Sequence, residues 1–299
     1  MRYIMGKSKL IAIVGPTASG KSSLGIYLAQ KLKSEVISAD SRQVYKGLDI
    51  GTGKVTKKEM AGVPHHLLDV VSPKKQFTVD DFTKSASAAA GLIYQSTRIP
   101  IVVGGTGLYI DMLTGRMNYP DVPPNEALRA KLEKKTTVQL FAMLQKADPA
   151  RATTIDRHNP RRLVRALEVA YAIGKSPAPV SELKYDVLWL GINLGAQKLK
   201  ANIHKRLLSR MKAGMLAEAK RLHRYGLSYK RMEELGLEYR YMARLLQGKI
   251  THEEFMAELE HAINDYAKRQ ATWFKRNKDI QWVGSKTEAL RLAKAFLSR

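Results

Sequence analysis

Between the apolar run Leu10 to Val14 and the helical pattern Lys21 to Leu32 stands Gly15-Pro-Thr-Ala-Ser-Gly-Lys-Ser22, a GxxxxGK[ST] loop in a strand, loop, helix setting. Such a loop commits the first part of the chain to an α/β architecture, because strand, turn and helix N-terminus must meet at one end of a parallel sheet. It commits the same end to phosphate. Consecutive backbone N–H groups, the helix dipole and the Lys21 ammonium converge on the same oxygens. Gly15, Pro16, Thr17, Ala18, Ser19, Gly20, Lys21 and Ser22 are the expected phosphate contacts, and Ser22 is placed to ligate Mg²⁺ whose other ligands come from diphosphate and water.

The loop does not by itself specify nucleotide hydrolysis. Most proteins that hydrolyse nucleotides on such a loop carry a second apolar strand ending in an acid. Here Ile99-Pro-Ile-Val-Val is followed by Gly104-Gly-Thr-Gly107, and the nearest strand-end acid is Asp40, in Glu35-Val-Ile-Ser-Ala-Asp-Ser41. An Asp at the carboxyl edge of the sheet can be a general base, a Mg²⁺ ligand or a helix N-cap.

Leu10 to Val14, Glu35 to Ser38 and Ile99 to Val103 read as strands, with helices over Lys21 to Leu32 and Asp80 to Ser96. After the turn-rich Tyr119-Pro-Asp-Val-Pro-Pro, helical patterns cover Asn125 to Gln145 and Pro160 to Ile173 with no strand between them. Strand character returns at Tyr185 to Asn193, past a Gly/Ser/Pro-rich stretch at 174 to 181. Helices are expected over Lys198 to Tyr225 and Thr251 to Lys275, then a strand at Ile280 to Val283 and a closing helix. In the first of these, Ile203, Leu207, Met211 and Met215 form an i+4 stripe that reads as core. The expected fold is a P-loop α/β core over 1–120 and 185–299, with a mostly parallel sheet flanked by helices and an all-helical insertion at 121–184.

Charge suggests the partner. The 299 residues carry 51 Lys and Arg against 27 Asp and Glu, a net +24, which draws a chain toward polyanions. Residues 1 to 120 hold +8 and the remainder +16, so the excess is a surface property and not a terminal arm. With 44% apolar residues the chain is globular, not a polyelectrolyte tail. Zero cysteines exclude disulfides, Cys-ligated zinc, iron–sulfur clusters and a thiol nucleophile. No run approaches the roughly 20 apolar residues of a membrane span, and the N-terminus, which runs straight into the glycine-rich loop, lacks a signal-cleavage pattern. A cytoplasmic monomer without membrane contact is expected. The adjacent His65 and His66 read as structural, and Trp273 and Phe274 as core before base-stacking residues.

Taken in order, the blocks GPTASGKS (15–22), ISADSRQVYKGLDIGTGK (37–54), PHHLLDV (64–70), RIPIVVGGTGLYI (98–110), NPRRLVRALEV (159–169), IHKRLLSRM (203–211) and AKRQATWFKR (267–276) resemble the tRNA dimethylallyltransferases over nearly the whole chain. The resemblance implies transfer of a dimethylallyl group from dimethylallyl diphosphate to N6 of the adenine immediately 3′ of the tRNA anticodon. It implies Asp40 as general base, Thr106 as a contact to the target nucleotide and Arg206 as a further diphosphate ligand. It also implies that Asp40, Ser41, Arg42, Gln43, Thr106, Arg129, Arg161, Arg162, Leu163, Val164, Arg165, Arg240, Lys268, Arg269, Gln270 and Arg276 meet the anticodon stem-loop. The absence of cysteine fits the shorter bacterial form, which lacks the zinc module of eukaryotic relatives. Gly236-Leu-Glu-Tyr-Arg240 departs from the usual Gly-Tyr pairing. Rival readings are a P-loop kinase of a small metabolite, a free-adenylate isopentenyltransferase and a non-catalytic RNA-binding protein.

Overall fold

The computed structural model describes residues 7–175 and 182–299. Its strands are β1 (Lys9–Val14), β2 (Val36–Ser38), β3 (His65–His66), β4 (Ile101–Gly104), β5 (Asp186–Gly191) and β6 (Gln281–Trp282). They form one six-stranded sheet, ordered β3-β2-β4-β1-β5-β6, and every pairing is parallel. A parallel sheet covered on both faces needs strands that are apolar throughout, and Leu10 to Val14 are all buried. Their alternation sorts them by face. Leu10, Ala12 and Val14 join Phe82, Ala86 and Ile93 of helix Val79–Gln95, while Ile11 and Ile13 join Leu24 and Leu28 of helix Lys21–Leu32 and Phe296 of helix Lys286–Leu297.

Strand order places the site. From β1 the chain crosses to β2, two places away, and β4 then fills the gap, whereas β5 lies on the other side of β1. The carboxyl ends of β1 and β4 therefore meet where the winding reverses, the position at which open α/β sheets take ligands.

The chain divides into two compact units, Met1–Gly115 with Leu183–Arg299, and Arg116–Glu182. In the second, Leu132, Leu140, Leu144, Leu163 and Leu167 form a core of their own. The expected single helix over Asn125 to Gln145 is two, Glu126–Leu132 and Thr137–Ala147, because Thr136 and Gln139 make a capping box that restarts the chain. The expected helix Lys198 to Tyr225 is likewise split into Ala196–Lys212 and Met215–Arg224, with Gly214 in the left-handed region (φ 95°). Ile203 and Leu207 are buried as expected, but Met215 reaches the same cluster from the second helix. β4 starts at Ile101, two residues later than expected, since Pro100 has no N–H for the ladder. The two-residue β3 and the helix Gly107–Thr114 were not anticipated from sequence. Residues 1–6, and 176–181 of the Gly/Ser/Pro-rich stretch, lie outside the described residues. Among the described residues no helix is long and apolar enough to cross a membrane.

Candidate functional site

Three strand ends build the site. The loop after β1 carries Gly15 to Gly20, the end of β2 carries Asp40, and the turn after β4 carries Gly104 to Thr106. Backbone bonds lock the last two together: Ala39 N donates to the Val103 carbonyl (2.8 Å) and Thr106 N to the Ala39 carbonyl (3.2 Å). Ser41 N donates to Thr106 Oγ1 at 3.1 Å. The Asp40 carboxylate is oriented from one side, with Oδ1 accepting from Arg42 N (2.8 Å) and Gln43 N (3.2 Å). That cap leaves Oδ2 for the open cavity that Asp40 lines together with Thr17, Lys21, Ser22, Arg206 and Tyr266.

The glycine-rich loop is braced by two helices distant in sequence. From helix His252–Phe274, Gln270 accepts from Thr17 N (2.7 Å) and donates to the Gly105 carbonyl (2.9 Å), tying the loop after β1 to the turn after β4. From helix Ala196–Lys212, Asn202 donates to the Ala18 carbonyl at 3.2 Å. Ala18 sits at φ 58°, a conformation that costs a non-glycine residue roughly 1 kcal/mol or more. The buried Ser19 hydroxyl has no hydrogen-bond partner among the described residues. Lys21 Nζ donates to the Pro16 carbonyl (2.6 Å), and Ser22, in the first turn of its helix, is exposed.

Arg206 completes the cationic side. Its Nη1 donates to Thr17 Oγ1 (3.4 Å) and its Nη2 to the Gly53 carbonyl (3.1 Å). Gly53 is in the left-handed region (φ 60°), and a Cβ there would collide with the guanidinium, so only glycine permits this approach. Burial, then the neighbouring Arg206, pull the Lys21 ammonium down to about 7, against a smaller upward pull from Asp40. Burial and Arg210 likewise lower Arg206. Neither cation forms an ion pair among the described residues. Tyr266, one turn before Gln270, also lines the cavity; burial first, then Asp40, pushes its hydroxyl above the usual range.

Several expected contacts have other duties. Leu163 and Val164 are buried in the core of the helical unit, so they are not surface contacts. Gln270 is buried with both amide atoms committed to the brace just described, an interior role in place of the expected tRNA contact. Arg129 binds Glu168 through two bonds of 2.8 and 2.9 Å, and Arg165 reaches the same carboxylate at 3.4 Å and the Val122 carbonyl at 2.9 Å. Arg161, Arg162, Arg240, Lys268, Arg269 and Arg276 are exposed, Arg276 over the Trp273 ring at 5.5 Å. Trp273 donates to Asp111 Oδ2 (2.8 Å) and packs against Gly107. His66 pairs with Glu35 at 2.7 Å and His65 Nδ1 meets the Val63 carbonyl at 2.8 Å, both structural contacts. Sequence reasoning missed Asn202 and Tyr266. Their signal was spacing: Asn202 lies four residues from Arg206, and Tyr266 four from Gln270, which puts each pair on one helix face.

The IPP transferase family model matches residues 43–277, and an isopentenyl transferase model matches residues 8–74. A tRNA dimethylallyltransferase 1 of Geotalea uraniireducens is 40% identical over 293 residues, 96% of each chain, and a tRNA dimethylallyltransferase 2 of Treponema denticola is 41% identical over 93% of this chain and 96% of its own. Among solved structures, the full-length tRNA isopentenylpyrophosphate transferase of Bacillus halodurans superposes with a TM-score of 0.73 at 36% identity, covering 98% of this chain and 96% of that one. A eukaryotic dimethylallyltransferase solved acting on tRNA reaches a TM-score of 0.86 at 28% identity, over 97% of this chain and 80% of that one. With a glycine-rich loop, a strand-end carboxylate and two half-buried cations gathered at the switch edge of its sheet, the chain belongs to the IPP transferase family, that of the tRNA dimethylallyltransferases.

Proposed function

We propose that this protein transfers a dimethylallyl group from dimethylallyl diphosphate to N6 of the adenine 3′ of the anticodon in tRNA. The observation that carries the reading is one cavity with a donor side, formed by the loop, Lys21 and Arg206, and an acceptor side, formed by Asp40. In the reaction the allylic C1–O bond breaks, a C1–N6 bond forms, the proton on N6 passes to Asp40 Oδ2 and diphosphate departs. Negative charge grows on the leaving oxygens, where preorganised donors count most, about 3 kcal/mol each in comparable sites. The adenine amine is a weak nucleophile until it loses a proton, and a placed base contributes about 10² to 10⁴ in rate.

The unpartnered Ser19 hydroxyl and the exposed Ser22 side chain fit an anion and its counter-ion at the loop. Among the described residues no three His, Asp or Glu side chains come together to hold a metal. Ser22 Oγ would therefore hold Mg²⁺ with diphosphate oxygens and water completing the shell, and the ion when bound neutralises diphosphate charge. Thr106, which accepts from Ser41 N, would meet the flipped nucleotide, which must leave the anticodon stack to be modified. Arg161, Arg162, Arg240, Lys268, Arg269 and Arg276, all exposed, would carry phosphate contacts along the stem-loop.

The test uses radiolabelled dimethylallyl diphosphate with Mg²⁺ and, in separate reactions, unmodified tRNA, AMP, or a metabolite panel with ATP. Label is expected in tRNA alone. Label in AMP but not tRNA, or phosphorylation of a metabolite in its place, would overturn the reading.

A further inference from the structure

Glu218 is buried to 3% exposure and forms no ion pair among the described residues. An isolated carboxylate in that position is costly unless several donors surround it. It has four. Oε2 accepts from Asp49 N (3.1 Å) and Ile50 N (2.8 Å), and Oε1 accepts from Gly51 N (2.9 Å) and the Tyr239 hydroxyl (2.6 Å). Three successive peptide N–H groups form the kind of concavity that elsewhere receives a ligand anion, and here the chain fills it with its own side chain. Burial and the Glu218 charge hold the Tyr239 hydroxyl well above its usual value, so it remains a donor.

The loop gripped this way bears directly on Arg206. Gly53 N donates to the Ile50 carbonyl (3.0 Å) and Lys54 N to the Asp49 carbonyl (2.9 Å), closing the turn. The Ile50 peptide is held at both ends, since its carbonyl also accepts from Arg210 Nε at 2.7 Å. Arg210 is neutralised by Glu238 at 2.9 Å, whereas Arg206, one turn earlier, has no carboxylate partner among the described residues. The Gly53 carbonyl at the end of the turn is the acceptor that sets the Arg206 guanidinium against Thr17. We propose that Glu218, with Tyr239, is a positioning residue for the diphosphate side of the site: by anchoring Asp49 to Gly51 it fixes the Gly53 carbonyl and through it Arg206. The inference rests on the diphosphate reading of the cavity given above.

A purely structural role for Glu218 differs in one measurable respect, because its effect on ligand binding would not depend on Arg206. Binding of inorganic diphosphate and the thermal midpoint are measured for the full chain, E218Q, R206A and the double variant. Glu218→Gln keeps the shape but presents an amide N–H to a donor, and it is expected to weaken diphosphate binding about tenfold in the parent and less than twofold in R206A. The thermal midpoint should fall equally in both backgrounds. Equal weakening of binding in the two backgrounds, or none in either, overturns the proposal. Should E218Q fail to fold, Tyr239→Phe removes one of the four bonds and is expected to show the same pattern at about threefold. A parent protein that does not bind diphosphate, or an R206A protein that binds it equally well, would instead sink the diphosphate reading. Hydrogen exchange at the amides of residues 49–51 tests the anchor independently: it should accelerate in E218Q, and unchanged exchange overturns the anchor whatever binds in the cavity.

Discussion

In the helical unit Arg129 and Arg165 close on the buried Glu168, whereas at the sheet edge Lys21 and Arg206 are enclosed with no carboxylate in ion-pair contact among the described residues. The electrostatic consequences run in opposite directions. Hydrogen bonding to Glu168 raises Arg129, while burial lowers both Lys21 and Arg206. Burial alone would raise the Glu168 carboxyl, yet Arg129, the Asn125 N–H and Arg165 together hold it below its usual value near 4.5. A half-buried cation whose charge is offset inside the fold is part of the architecture; one left without an offset favours an arriving anion. The sequence motifs treat these arginines alike, and only their partners tell them apart.

The contrast can be broken at several points. Asp40→Asn should have the largest effect, lowering single-turnover transfer by about 10² to 10⁴ with tRNA affinity held within a few fold; unimpaired turnover would remove Asp40 as the base. Next, Arg206→Ala is expected to reduce kcat/KM for the diphosphate substrate by about 10² to 10³ without loss of thermal stability, since a charge without a partner is being removed. If stability falls and diphosphate kinetics do not, Arg206 belongs with Arg129 and the contrast fails.

Lys21 supplies a pH test. Because its value in the free protein is about 7, the ammonium is largely neutral above that pH and must regain a proton when diphosphate arrives. Affinity should thus fall by up to about tenfold between pH 8 and 9, with proton uptake measurable by calorimetry in buffers of differing ionisation enthalpy. Both signals should vanish in Lys21→Met. The folded value also lies below the ordinary 10.5, so the unfolded chain binds more protons between about 7 and 10.5 and stability rises with pH through that window. The methionine variant should be more stable at neutral pH than the parent, by a margin that shrinks toward pH 10.

Smallest in activity and clearest in stability is Arg129→Ala. It should cost roughly 2 to 3 kcal/mol, less than a fully broken buried pair because Arg165 and the Asn125 N–H remain. Glu168 has a depressed value, so its contribution is present above its usual value and is lost as pH falls through the folded one. Acid melts of the parent and of Glu168→Gln should therefore converge at low pH, and parallel curves would show that Glu168 is not the titrating group.

Much of the fold was legible because its signals are local. The helix Lys21–Leu32 and the helix Pro160–Ile173 begin and end where their sequences say, the second with Asn159 as cap and Pro160 at the first position. The breaks at Thr136 and Gly214 were harder, because apolar periodicity runs through both and only the capping chemistry interrupts it. In the site, Gly15 to Ser22 and Asp40 follow from motif and strand end. Gln270, Asn202, Tyr266 and Glu218 did not, since each acts on a segment more than 150 residues away.

By itself the sequence determined a parallel α/β core, a glycine-rich loop at a known edge of it, and a strand-end acid opposite that loop, because those properties depend on spacing and residue type within short windows. Which cations remain without a carboxylate, which glutamine ties the loop down and which carboxylate anchors the Gly53 turn were decided only in the tertiary structure. Ion pairing and desolvation depend on distances between residues remote in the chain, and no local pattern records them.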